Sequence, residues 1–133
     1  MKYEELTHQI IGCAMKVHSV LGTGFQERIY QRALAIEFGL LGIAFEQEKE
    51  MDIYYGQMVI GKRRVDFFVD GEIMVEIKAR TMLEDIHLAQ AMNYLEAYDK
   101  EIGLLINFGA KSLEFKRVHN NKLISKNRVW RLR

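Results

Sequence analysis

Two apolar runs, Val65–Val69 and Ile73–Ile77, flank the turn Asp70-Gly71-Glu72, and each carries a charge inside it: Asp66 in the first and Glu76 in the second, with Lys78 one step beyond. Both runs have the composition of buried strands. A charge set into such a strand is costly to bury unless it is paired or coordinated. The folding of this hairpin therefore constrains everything around it.

Two registers are open to the hairpin. A two-residue Asp70-Gly71 turn would pair Val69 with Glu72 and Asp66 with Val75, sending Asp66 and Glu76 to opposite faces of the sheet. A three-residue loop, with Gly71 or its neighbour in the left-handed region, would pair Val69 with Ile73 and Asp66 with Glu76. Alternation then puts Lys78 on the face of the carboxylates and gathers Phe67, Val69, Ile73, Val75 and Ile77 on the other. Because this register keeps five large apolar residues together, we expect it.

Two carboxylates meeting at one point repel each other unless a divalent cation lies between them, and hard oxygen donors completed by water suit Mg²⁺ or Mn²⁺. Beside such an ion, Lys78 can orient a water and offset charge developing on a phosphate. An Asp with a Glu-x-Lys is also what an ordinary surface ion pair looks like, so further motifs are needed to decide.

At Asp66, Glu76 and Lys78 the chain resembles the PD-(D/E)XK nuclease superfamily, with the restriction-endonuclease-like fold. The superfamily's proline before the aspartate is replaced by Val65, in a chain with no proline. The segment Gly22-Thr23-Gly24-Phe25-Gln26-Glu27-Arg28-Ile29-Tyr30-Gln31-Arg32-Ala33-Leu34 resembles the signature of the GxxExxY branch, named for Gly24, Glu27 and Tyr30. Downstream, Gln90-Ala91-Met92-Asn93-Tyr94 is similar to the QxxxY motif of RecB-like nucleases. The resemblance runs from about Leu6 to Val118. It implies that Asp66 and Glu76 hold the metal, with Glu27 as a further ligand directly or through water. It also implies catalytic roles for Lys78 and Gln90, and supporting ones for Tyr30 and Tyr94.

The same residues have plainer physical readings. Gly22 and Gly24 end one helical pattern and let the chain turn into the next. No strand precedes them and a third glycine is absent, which excludes a dinucleotide fingerprint. The second helix, about residues 26–41, shows Ile29, Ala33, Ile36 and Leu40 at helical spacing, and these are the expected core stripe. Glu27 and Tyr30 share a face near the start of this helix, where a carboxylate is favoured by the helix dipole. Dipole stabilisation and metal ligation both remain open for Glu27, whereas Tyr30 reads as a packed aromatic with a bonded hydroxyl. In the helix at about 84–99, Leu88, Ala91, Met92 and Leu95 form the expected buried stripe, with His87, Gln90 and Tyr94 on a neighbouring face. Gln90 can both donate and accept, so it can position water or a phosphate oxygen. His87 reads as a surface residue.

Length and composition fit one domain over residues 1–133, with a substantial core, since 49% of the 133 residues are hydrophobic. Residues 1–9 hold no apolar segment of a leader or span, and a single cysteine, Cys13, excludes an internal disulfide and a four-cysteine cluster. We expect a cytoplasmic protein with Cys13 in the core. Net charge is +1, but residues 111–133 hold eight Lys or Arg against Glu114 alone. This basic segment, including Lys116, Arg117, Lys122, Lys126 and Arg128, is suited to holding a phosphate backbone. Trp130 can stack on a base or cap the core of this chain or a dimer partner.

The expected order is helix 4–20, helix 26–41, strands 43–55, 58–69 and 73–79, helix 85–99, and strands 102–107 and 112–118. Strand 102–107 is nearly all apolar and follows a helix, which fits a parallel neighbour of the strand before that helix. The class is α/β, a mixed sheet flanked by helices on the αβββαβ restriction-endonuclease-like plan. The expected function is Mg²⁺- or Mn²⁺-dependent phosphodiester hydrolysis on nucleic acid, DNA before RNA, with a homodimer if both strands of a duplex are cut. The rival is a nuclease-like module that binds nucleic acid or a protein without turnover. A hydrolase of free nucleotides fits the basic segment less well.

Overall fold

The computed structural model describes residues 3–120. Its elements are α1 (Glu4–Leu21), α2 (Glu27–Leu40), β1 (Phe45–Tyr55), β2 (Met58–Val69), β3 (Ile73–Lys78), α3 (Asp85–Ala97), β4 (Ile102–Asn107) and β5 (Glu114–His119). The five strands form one sheet in the order β1-β2-β3-β4-β5. Neighbours are antiparallel except β3 and β4, which α3 connects as a parallel crossover. Helices α1 and α2 cover one face, over Phe67, Val69, Ile73, Val75 and Ile77; α3 covers the other, over Phe68, Met74 and Leu105. This is the expected α/β architecture. Lys122, Lys126, Arg128 and Trp130 lie outside the described residues.

The hairpin adopts the three-residue loop. Val69 pairs with Ile73, Phe68 with Met74 and Phe67 with Val75, so Asp66 and Glu76 stand level on adjacent strands. Asp70 and Gly71 both have left-handed backbones, with φ of 53° and 67°, and Glu72 donates its N–H to the Val69 carbonyl. The glycine adopts this conformation without strain.

Helix α2 corrects one expectation. Its buried stripe is Tyr30, Leu34 and Phe38, whereas Ile29, Ile36 and Leu40 are exposed. Both stripes have helical spacing, so periodicity could not choose between them; the aromatic rings chose. Tyr30 stacks on Phe108 with centroids 4.8 Å apart, and Phe38 packs edge-on against Phe67 at 5.1 Å. In α3, likewise, Ala91 and Leu95 are buried but Leu88 is 36% exposed.

Beyond β3 the chain is held by a polar knot absent from the sequence reading. The fully buried Asn107 accepts from the Arg80 N–H at 2.8 Å and donates to the Arg80 carbonyl at 2.9 Å and to Glu114 at 2.8 Å. Glu114 also accepts the Leu83 N–H at 3.0 Å. Phe108 donates its N–H to the Lys78 carbonyl. Gly109 lies so close that a Cβ there would come within 2.4 Å of Arg80 backbone atoms. The knot fixes the segment directly after Lys78, so Gly109→Ala should destabilise the fold by about 1–3 kcal/mol, the usual penalty of overpacking. Urea unfolding monitored by circular dichroism would measure this, and an unchanged midpoint would show that Arg80 can yield.

Candidate active site

Strands β2 and β3 stop pairing after Phe67 and Val75, and at that fork the Asp66 carboxylate takes the place of a backbone acceptor. Its Oδ2 accepts the Ile77 N–H at 2.7 Å. Opposite Asp66 on β1 stands Glu48, a strand residue with φ of 54°, and the pairing between β1 and β2 is interrupted there. Across this irregularity both strands exchange faces. Phe67 belongs to the core under α1 and α2, but Val65, two residues earlier, belongs to the core under α3; Phe45 and Met51 divide in the same way on β1.

The face exchange brings Arg63 into the site, a residue that sequence reasoning missed. Its Nη2 lies 3.1 Å from Glu76 Oε2, and its guanidinium lies 4.4 Å from the centre of the Tyr94 ring on α3. Arg63 thus donates a charge-assisted hydrogen bond to Glu76 and makes a cation–π contact with Tyr94 at once. Strict alternation along β2 would have sent Arg63 to the opposite face, so only the left-handed strand residue opposite Asp66 could have signalled its place.

Arg63, Glu76, Lys78, His87, Gln90 and Tyr94 line a narrow cleft between the sheet and α3. Four expected residues therefore meet: Glu76 and Lys78 from β3, Gln90 and Tyr94 from α3. Asp66 adjoins Glu76 at the fork. Glu76 is buried, yet its Oε1 has no hydrogen-bond partner. His87 is buried rather than on the surface, because its Nδ1 accepts the Glu84 N–H at 3.0 Å and caps the start of α3. The proton of the neutral ring then sits on Nε2.

Glu27 is the first residue of α2, exposed, and does not line this cleft. It shares a helix face with Tyr30, stacked on Phe108, and with Gln31, whose amide donates to the Asp66 carbonyl at 3.4 Å. Tyr30 donates its hydroxyl to the Gly22 carbonyl at 2.6 Å and accepts the Phe25 N–H at 3.3 Å, closing the turn ahead of Glu27. Among the described residues, no three His, Cys, Asp or Glu side chains gather as a metal-holding group. The two carboxylates that come together at the fork are Asp66 and Glu76. On β5, Lys116 and Arg117 are exposed and project to opposite faces, with Arg117 beside Phe115 on the side away from α3.

A model of the PD-(D/E)XK nuclease superfamily matches residues 4–118. The chain belongs to this superfamily. A solved structure named SSO0001 has a similar fold, with a TM-score of 0.54 and 22% identity, over 89% of this chain and 59% of that one. The chain thus spans about three-fifths of that protein's length. No curated protein matches the chain. In this PD-(D/E)XK protein, Asp66, Glu76 and Lys78 stand on the two strands that fork, within the matched residues.

Burial raises the Glu76 carboxyl from its ordinary 4.5 to about 8, and the neighbouring Asp66 charge pushes the same way; Arg63 and Lys78 work against both. The folded protein therefore holds this proton more tightly than the unfolded chain. The resulting stability is complete below about pH 4.5 and is lost as pH climbs through about 8. Thermal unfolding without metal should show a fall of a few kcal/mol across that window. In Glu76→Gln, which has no proton to lose, the fall should vanish, and a profile identical to the parent's would contradict the assignment.

Proposed function

We propose that this chain is a divalent-metal-dependent nuclease of the GxxExxY branch, hydrolysing phosphodiester bonds of nucleic acid, with DNA as the expected substrate. The observation that carries this reading is the buried, unpartnered Glu76 Oε1 next to a second carboxylate, in a cleft shared with Lys78 and Gln90. A buried carboxylate oxygen without a donor fits a cation better than it fits solvent. Asp66 and Glu76 would hold Mg²⁺ or Mn²⁺, and Glu27 remains the proposed additional ligand. When bound, the ion supplies Lewis-acid activation of water and of the scissile phosphate.

The chain's own residues do the positioning. Arg63 engages Oε2 of Glu76 and leaves Oε1 to face a ligand. Lys78 brings an ammonium group to offset the charge of the phosphorane-like transition state. Gln90, exposed at the rim, can donate to a phosphate oxygen while accepting from the attacking water. The closed turn around Tyr30 supports the GxxExxY assignment, because it presents Glu27 at the start of α2. Lys116 lies in the row of Glu76 across β4, where it would hold a phosphate backbone; Arg117, Lys122, Lys126 and Arg128 extend that proposal on sequence grounds. No helix among the described residues is long and apolar enough to cross a membrane. We place the protein in the cytoplasm, where Cys13, a buried free thiol, stays reduced, and we expect two copies to act on a duplex.

The Arg63–Glu76 pair favours one second reading, a module that binds nucleic acid without turnover, because it neutralises a carboxylate without a metal. Oligonucleotide cleavage in Mg²⁺ should fall about 100-fold or more in Lys78→Ala and in Asp66→Asn. The Asn variant keeps an oxygen for the Ile77 N–H, so its loss reports charge rather than fold. Parent-like cleavage by these folded variants would refute the nuclease reading, and calorimetry showing no Mg²⁺ or Mn²⁺ binding at millimolar concentration would favour the binding module.

A further inference from the structure

On the other side of Asp66 from the α3 cleft lies a second, larger concavity between α2 and β1, of about 350 Å³, lined by Arg28, Gln31, Arg32, Gln47 and Glu48. Arg28 and Arg32 are one helical turn apart on α2 and so point the same way. Gln31 ties the helix to the Asp66 carbonyl, and Glu48 stands opposite Asp66 on β1. The single acid of the lining is already neutralised, because Arg64 lies 3.2 Å from the Glu48 carboxylate. Neither Arg28 nor Arg32 has an ion-pair partner among the described residues. The cleft therefore holds two uncompensated guanidinium groups and two side-chain amides, and no large apolar residue that would recognise a greasy ligand.

We propose that this cleft is an anion subsite for the phosphodiester backbone of the substrate, taking phosphates next to the one being cut. Arg28 and Arg32 bind the phosphate oxygens, and Gln31 and Gln47 donate to the same groups or to sugar hydroxyls. A strand lying across the fork at Asp66 touches the α3 cleft with its scissile phosphate and the α2 cleft with its neighbours. This places the substrate on both sides of Asp66 and makes α2 a substrate-gripping helix. The proposal rests on the nuclease reading but concerns residues outside its catalytic set.

The test uses the full chain, a fluorescent single-stranded oligonucleotide and Ca²⁺ in place of Mg²⁺, with affinity read by anisotropy across a salt series. For Arg28→Ala/Arg32→Ala, affinity near physiological salt should drop about tenfold or more, and the slope of log affinity against log salt should shallow by about 1.4, two phosphate contacts on a single strand. Arg28→Lys/Arg32→Lys should recover most of the slope, since lysine keeps the charge. Lys16→Ala, on α1 and paired with Glu37, is the remote control and should leave both quantities unchanged. Both arginines are exposed, and matching circular dichroism spectra would exclude unfolding. Parent-like affinity and slope in the double alanine variant would overturn the subsite while leaving the nuclease reading intact. A parent protein that neither binds nor cleaves nucleic acid would instead sink the nuclease reading and the subsite with it.

Discussion

The hydrogen bond from the Ile77 N–H to the Asp66 carboxylate, at 2.7 Å, is the contact on which the site depends. Where β2 and β3 part, a backbone donor would otherwise be left without an acceptor inside the protein, which is unfavourable. A carboxylate fills that role while keeping a negative charge beside Glu76. The fork therefore does two things with one side chain: it satisfies the end of the ladder, and it sets a second carboxylate beside Glu76.

The face exchange near Asp66 follows from the same irregularity. Glu48 adopts a left-handed backbone in mid-strand, a conformation that strand residues avoid unless surrounding structure holds it. Its consequence is that Arg63 reaches Glu76 and Tyr94 under α3, while Phe67 packs under α2. A regular β2 would have put Arg63 on the wrong side and left the buried Glu76 without its counter-ion. Local strain in β1 thus sets the electrostatics of a residue on β3.

The buried contact between Arg63 and Glu76 is weak evidence for stability, since the cost of desolvating the guanidinium and the carboxyl offsets most of what the contact contributes. Its value lies in orientation. One oxygen of Glu76 is held by Arg63 and the other has no protein partner, and the carboxyl clings to its proton because it is buried beside the Asp66 charge. The knot around Asn107 performs the complementary task for Lys78, fixing the chain immediately after it through hydrogen bonds of the Asn107 side-chain amide to Arg80 and Glu114.

Much of this was legible in the residues alone. Turn chemistry and period-two alternation are local, so Asp70-Gly71-Glu72 and the five apolar residues of one face determined the hairpin register and brought Asp66, Glu76 and Lys78 to one end. The order of elements and the parallel pairing of β3 with β4 were likewise readable, because they depend on the length and polarity of short segments. Where α2 offered two apolar stripes of equal spacing, only the rings it met, Phe108 and Phe67, could select Tyr30, Leu34 and Phe38. The positions of Arg63, His87 and Asn107, and the concavity holding Arg28 and Arg32, were decided by tertiary structure. Each depends on contacts between segments far apart in the chain, and a pattern of neighbours along a sequence carries no information about which side chains meet across it.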